Sequence, residues 1–109
     1  MIELLLAAGL SCYTVDARDE FRRFDTYGTV SEIVSVEGQV SAGEGRTYYA
    51  AMPRESIILR SVYDFRPQPV VSGHVLPKPI IGTFELGINE TEDSLGDNSG
   101  EVKICLKRV

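Results

Sequence analysis

The sequence predicts a mainly β fold, a small antiparallel barrel or sandwich of about five to six strands with one or two short N-terminal helices. Two observations predict it. Apolar and polar residues alternate through 56–66, 80–88 and 101–107, as in strands buried on one face. Glycine and proline separate the strand-like stretches at short intervals. The 109 residues suit a single domain with one modest core, spanning 1–109.

The chain begins with an almost continuous apolar stretch at residues 2–10. Leucine and alanine favour a helix there. Leu4, Leu5 and Leu6 need a covering surface, from the domain core or from a neighbouring subunit. The stretch resembles the core of a signal peptide, but it carries Glu3 and no Lys or Arg. We therefore interpret it as a structural element.

A second short helix is predicted over residues 16–25. Asp16 suits the N-cap position, where its side-chain oxygen accepts a backbone N–H. Phe21 and Phe24 are three residues apart and would share a helix face. Tyr27-Gly28 would end the helix.

The middle of the chain is predicted to contain three strand regions. Residues 29–40 are rich in Val, Ser and Glu with one Ile, and Glu37-Gly38 predicts a turn between one strand and the start of the next. Residues 46–52 predict a further strand, which Pro53 ends. Residues 56–66 give a strong strand pattern.

Prolines bracket the next segment, residues 67–79, which is predicted to be an extended arm or loop. As an arm it would reach another chain, and as a loop it would pack on its own domain. Residues 80–88 form the clearest strand pattern. We expect it to pair with 101–107 in a hairpin whose long acidic loop is 89–100.

Charge and cysteine content limit the partners. The net charge of −5 argues against nucleic acid, because phosphate binding requires a basic surface. No apolar run reaches the roughly 18 residues of a membrane-spanning helix.

Cys12 and Cys105 are far apart in sequence and are expected to be free thiols. We expect a soluble protein, cytoplasmic or within a virion rather than secreted.

The partner-binding site is predicted mainly in the proline-bracketed segment. A stiff extended segment loses little conformational entropy on docking, and its apolar side chains would anchor it. Tyrosine and arginine also dominate interfaces, although aromatic residues on strands more often belong to the core. The predicted partner-binding residues are Val70, Val71, His74, Val75 and Leu76, together with Leu4, Leu5 and Leu6.

No catalytic residues, metal ligands or cofactors are predicted. His74 is the single histidine, and no nucleophile or metal ligand lies at a diagnostic spacing from it. A small hydrolase or lyase built on His74 and a carboxylate is the enzymatic alternative. The acidic residues of 89–101 supply oxygen atoms of the kind calcium prefers, but their spacing does not match an EF-hand.

The sequence therefore predicts a non-enzymatic structural or assembly protein, a small β subunit of a homo-oligomer or of a larger particle such as a virus or phage. The alternative is a monomeric protein-binding module or inhibitor that uses the 67–79 or 89–101 loop. Both hypotheses depend on exposed apolar surface.

Overall fold

A computed structural model describes residues 9–109 of the chain. This part of the chain forms one antiparallel sheet with the strand order β1-β6-β2-β5-β3-β4, which confirms the mainly β prediction. The strands are β1 (Leu10–Asp16), β2 (Arg22–Ser41), β3 (Ile57–Ser61), β4 (Pro67–Pro69), β5 (His74–Ile88) and β6 (Ser99–Arg108), with a 3₁₀ helix at Glu92–Asp97 before β6.

The sheet is open, with β1 and β4 as its two edges. It curls enough for Tyr13 of β1 to stack on Phe24 of β2 and on Phe84 of β5, with ring centroids 4.7 and 5.3 Å apart. The predicted barrel or sandwich is not confirmed, because the curl of a single sheet encloses the core. The core side chains with no exposed surface include Ile33, Leu59, Phe84, Leu86, Ile104 and Leu106.

The predicted helix at 16–25 is wrong. Asp16 ends β1 and accepts the Arg18 backbone N–H through Oδ1 at 2.9 Å, which forms a turn instead of a helix cap. β2 then begins at Arg22, so Phe21 and Phe24 follow strand periodicity. Phe24 faces the core, whereas Phe21 packs over Gly87. The predicted helix at 2–10 lies almost entirely outside the described residues.

The predicted turn at Glu37-Gly38 is also wrong, because the 20-residue strand β2 runs through it and ends at Ser41. Gly38 has a φ of 104°, and a Cβ there would collide with the carbonyl oxygen of Glu101 on β6. The glycine therefore permits close strand approach. Residues 46–52 form turns instead of the predicted strand, apart from an isolated bridge between Thr47 and Glu90.

The strands at 80–88 and 101–107 are confirmed, but they do not pair with each other. β2 lies between them, pairing with β5 along one edge and with β6 along the other. β2 therefore separates the two strands that the acidic segment 89–98 joins in sequence. The predicted hairpin is therefore wrong.

Residues 67–79 pack on their own domain. β4 pairs with β3, and the turn after it is held by Val70 N–H donating to the Ile57 carbonyl and Gly73 N–H donating to the Ile33 carbonyl. Pro77 and Pro79 lie in β5 where its ladder with β2 is interrupted, between the Val75 and Ile80 pairings. Proline lacks an N–H, so it is tolerated at such an irregularity.

The expectation of free thiols is wrong, because Cys12 and Cys105 form a disulfide. The two residues are direct partners in the antiparallel pairing of β1 with β6. Cys105 alternates with Lys103 and Lys107 on the outer face, yet it is buried whereas both lysines are exposed. The disulfide ties the edge strand β1 to the interior strand β6.

Candidate functional site

The predicted partner-binding residues divide into three groups in the structure. Val71 and Val75 are 57% and 64% exposed, as a partner contact requires. Val70 and His74 are half-buried, and Val70 packs against the core. Leu76 is buried in the core and must be removed from the predicted surface, because the alternation of β5 turns it inward. Leu4, Leu5 and Leu6 lie outside the described residues.

Two further exposed apolar residues are not among the predicted partner-binding residues. Tyr63 is 78% exposed and Ile81 is 70% exposed. Both line one shallow groove of about 190 Å³, between the turn after β3 and the outer face of β5. The available signal was the position of Ile81 among Thr83 and Glu85 on the polar face of its strand, since an isoleucine there must be exposed or covered by a partner.

Charged residues form the rim of this groove. The Asp64 carboxylate accepts the Arg66 backbone N–H at 3.1 Å and lies 3.5 Å from Lys78 Nζ. These contacts lower the pKa of Asp64, the backbone hydrogen bond from Arg66 more than the Lys78 ammonium. An apolar floor with a charged rim is the usual composition of a protein-binding surface.

His74 is positioned by an amide. Its Nε2 lies 3.2 Å from Oε1 of Gln68 on β4, the strand that precedes β5 in sequence, which favours the tautomer with a proton on Nε2. The contact joins the start of β5 to the edge strand. The imidazole is oriented by an amide here, whereas a histidine that acts as a general base is oriented by a carboxylate. The hydrolase or lyase alternative therefore gains no support from the contacts of His74.

A second candidate site surrounds Arg60 on β3. Its guanidinium lies 3.7 Å from the centroid of the Phe21 ring, donates to Glu85 Oε1 at 2.9 Å and donates to the Tyr49 hydroxyl at 2.8 Å. That hydroxyl donates in turn to the Phe65 carbonyl at 3.3 Å. The Tyr48, Tyr49 and Phe65 rings complete the enclosure, at 5.1, 5.9 and 5.2 Å from the guanidinium carbon.

This environment keeps Arg60 charged. Burial of the guanidinium opposes its charge, but the interactions with Tyr49, Tyr48 and Glu85 outweigh burial and raise the pKa of Arg60. The other Glu85 oxygen lies 3.4 Å from Arg23 Nη2. Arg60 and Glu85 therefore neutralise each other and lock β3 to β5 on the outer face of the sheet.

We expect Arg60→Lys to destabilise the fold by roughly 1–2 kcal/mol, because an ammonium cannot reproduce the planar stacking on Phe21 together with two directed hydrogen bonds. Chemical denaturation in urea measures this change. Arg23→Lys is the matched control, since Arg23 is exposed and should change the free energy of unfolding by less than about 0.5 kcal/mol. Equal effects of both substitutions would contradict the structural role of the Arg60 cluster.

Comparisons with protein-family models, with curated proteins and with solved structures gave no match. Function must therefore be argued from the geometry of this chain.

The acidic segment 89–101 is organised by hydrogen bonds. Asp97 Oδ2 accepts the Glu44 backbone N–H at 2.9 Å, and Asp93 Oδ1 accepts the Thr91 hydroxyl at 2.6 Å, which lowers the pKa of Asp93. Within residues 9–109, no group of three His, Cys, Asp or Glu side chains is placed to hold a metal ion. The helix found in that range is too short to span a membrane.

Proposed function

We propose that this chain is a non-enzymatic assembly subunit that associates with further copies of itself through the outer face of β5. The proposal is based on the exposure of large apolar side chains. Val75 and Ile81 are exposed on β5, which is hydrogen-bonded to β2, and Tyr63 is exposed beside Ile81. Soluble monomers seldom leave large apolar patches uncovered, and such patches mark interaction sites.

The rigidity of this surface supports the same proposal. Val75 and Ile81 belong to a strand paired with β2, so their backbone is already ordered before binding. Docking then costs little conformational entropy, and more of the apolar burial contributes to affinity. The groove beside Tyr63 offers a pocket for an anchoring side chain from the partner.

The disulfide bears on where such an assembly would work. Disulfides persist in oxidising surroundings such as the extracellular space, the periplasm and virion surfaces, and they are rare in the cytosol. Of the cytoplasmic and virion settings expected from the sequence, the Cys12–Cys105 pair therefore favours the virion, or another oxidising setting, over the cytoplasm.

The test is the oligomeric state of the full chain by sedimentation velocity over a range of concentrations. We expect a concentration-dependent oligomer, and we expect Ile81→Asp to weaken association roughly tenfold or more by placing a charge in the interface. The control is Thr14→Asp, an exposed position on the edge strand β1.

A wild-type chain that stays monomeric at every concentration would refute self-association. Dissociation caused by Thr14→Asp but not by Ile81→Asp would place the interface on β1 and contradict the proposed surface. Circular dichroism of each variant confirms that the sheet is retained.

The second candidate is a monomeric module that binds a different protein through the turn at 70–73. It is favoured by Val71, which is 57% exposed at a turn fixed by two backbone hydrogen bonds. A Val71→Ser, Val75→Ser double substitution should abolish partner capture while the fold remains intact. Leu76 is unsuitable for this test because its replacement would damage the core.

A further inference from the structure

One edge of the long strand β2 has no partner strand over its C-terminal half. β2 pairs with β6 as far as Ser41. Its pairing with β5 ends at Ile33, because β5 begins opposite that residue, at His74. Beyond Ile33, no strand among residues 9–109 pairs with this second edge. An unpaired edge presents a row of backbone N–H and C=O groups to an incoming strand.

The open edge presents the backbone groups of Gly38 and Val40. The Val36 N–H points to this side, because it donates to the Ser72 hydroxyl at 2.9 Å instead of to β6. In an antiparallel pair the direction of the backbone groups alternates along the strand. The register with β6 is regular from Ser35 onward, so Gly38 and Val40 point the same way as Val36.

Two contacts on the β6 side support this direction. The Gln39 carbonyl oxygen faces β6, since a Cβ at Gly100 would collide with it. The Gly100 carbonyl, which lies opposite Val40, accepts the Ala17 N–H at 3.0 Å and so points away from β2. Gln39 therefore belongs to the ladder with β6, whereas its two neighbours direct their backbone groups to the open edge.

A groove of about 480 Å³ runs along this edge. Gly38 is exposed and lines the groove, and it has no side chain, so backbone atoms of β2 form part of the wall. The volume is within the roughly 300–1,000 Å³ typical of ligand sites. The apolar residues of the lining are Val36, Val40, Ile57, Pro69, Val70, Val71 and Val102.

The two ends of the groove differ in charge. Val36 marks one end of the open edge and Val40 the other. Beyond Val40, in the loop that follows β2, the Gly45 carbonyl accepts a hydrogen bond from Arg54 Nη1 at 2.9 Å. The next residue, Glu55, is exposed and is the one charged residue among those lining the groove. A cationic group is therefore favoured at the Val40 end.

We propose that this groove binds an extended peptide segment of another protein as an added strand, antiparallel to β2, with alternating apolar side chains and a basic residue at its N-terminal end. Its backbone bonds to Gly38 and Val40, and its apolar side chains lie on the valine-rich lining. An antiparallel segment enters at the Val40 end, which places its basic residue beside Glu55. The edge from Val36 to Val40 spans about 13 Å, which five residues cover.

The backbone groups of the edge distinguish this ligand from a small apolar molecule. A ligand without amide groups would fill the groove and leave the Gly38 and Val40 groups without hydrogen bonds, which is costly once water is displaced. An added strand provides both the hydrogen bonds and the apolar contacts. All strand pairings of residues 9–109 are antiparallel, so the added strand continues the sheet as it is built.

The test is binding of the synthetic peptide acetyl-Lys-Val-Thr-Val-Thr-Val-amide to the isotope-labelled full chain, followed by amide chemical shifts and hydrogen exchange. We expect saturable shifts at 36–40, 55–57 and 70–71. The peptide should slow exchange of the Gly38 and Val40 amides roughly tenfold or more, because they gain hydrogen bonds. Exchange of the Gln39 amide, which is already bonded to β6, should not change.

Two N-methylated forms of the peptide test strand addition directly. Only alternate residues of an added strand bond to the edge. One form is methylated on the second and fourth backbone nitrogens, and the other on the third and fifth. We expect their affinities to differ roughly tenfold or more, because one form loses the bonded N–H groups and the other does not. Equal affinities would contradict strand addition.

Glu55→Lys tests the charged end of the groove. It should weaken binding of the lysine peptide roughly threefold to tenfold, and a peptide with glutamate in place of its lysine should recover this loss. The matched control is Glu37→Lys, which makes the same change in net charge at an exposed position of β2 that does not line the groove. Equal effects of the two substitutions would contradict the basic residue in the ligand.

Absence of saturable shifts at 36–40 would overturn the proposal, as would slow exchange of Gly38 and Val40 before peptide is added. Protection that rises with chain concentration would mean that a second copy covers the edge, and constant protection that the chain covers its own edge. The proposal rests on neither candidate function. The groove shares no lining residue with the one beside Tyr63, so failure of this test leaves self-association through β5 standing.

Discussion

Loss of the Cys12–Cys105 disulfide is expected to lower the free energy of unfolding by about 4–5 kcal/mol, the chain-entropy value for a cross-link closing a loop of this length. The two cysteines are separated by 93 residues, so the cross-link restricts nearly the whole unfolded chain. Domains of this size have total stabilities of roughly 5–15 kcal/mol. The disulfide therefore supplies a large share of the stability.

Thermal unfolding of a Cys12→Ala, Cys105→Ala double variant measures this effect. A change of this size corresponds to a fall in Tm of roughly 15–25 °C. Reduction of the wild type with dithiothreitol should produce a similar fall, and dithiothreitol should leave the Tm of the double variant unchanged. A wild-type Tm that is insensitive to complete reduction would contradict the stabilising role.

The location of the disulfide adds a local expectation. Within residues 9–109, β1 is an edge strand and pairs only with β6. After reduction, the amide hydrogens of Leu10–Asp16 should exchange faster than those of β5, because local opening of an edge strand requires less free energy than global unfolding. Hydrogen exchange followed by mass spectrometry separates the two regions.

Asn89→Ala is expected to destabilise the fold by about 3–5 kcal/mol, since four hydrogen bonds of a fully buried side chain are lost, each worth roughly 1 kcal/mol or more. The two hydrogens of the Asn89 amide nitrogen are shared among the carbonyls of Tyr49, Met52 and Pro53 at 2.9–3.0 Å, and the Asn89 side-chain oxygen accepts the Tyr49 N–H at 2.7 Å. The Asn89 side chain thus provides hydrogen bonds to the backbone of residues 49–53, which is not paired with another strand among residues 9–109.

Asn98→Ala is the matched comparison for this prediction. Asn98 is also buried, but its side chain makes two hydrogen bonds, to the Ala17 carbonyl at 2.8 Å and from the Gly43 N–H at 2.9 Å. Its loss should cost about half as much, roughly 2 kcal/mol. Urea denaturation of both variants provides the measurement, and an Asn98→Ala effect equal to or larger than that of Asn89→Ala would contradict the assignment.

The burial of Glu90 and of Arg60 was not predicted from the sequence, and the physical reason can be given for each residue. Glu90 lies in the segment predicted to be a long acidic hairpin loop, yet it is buried, with Gly45 of a distant loop packed against it. Arg60 follows the apolar residues Ile57, Ile58 and Leu59 on β3, yet it is enclosed by Phe21 and Tyr49, which lie outside that strand. Contacts of this kind depend on chain reversals that local residue patterns do not encode.

Alternation of side chains by itself identified the strands at 80–88 and 101–107. Val102, Ile104 and Leu106 are buried as predicted, because a period of two places them on one face whatever strand lies beside them. Strand pairing, the disulfide and the burial of Leu76, Arg60 and Glu90 were decided only by the tertiary structure. Each depends on which distant segments meet, and in this fold that is set by one long strand, β2, inserted between β5 and β6.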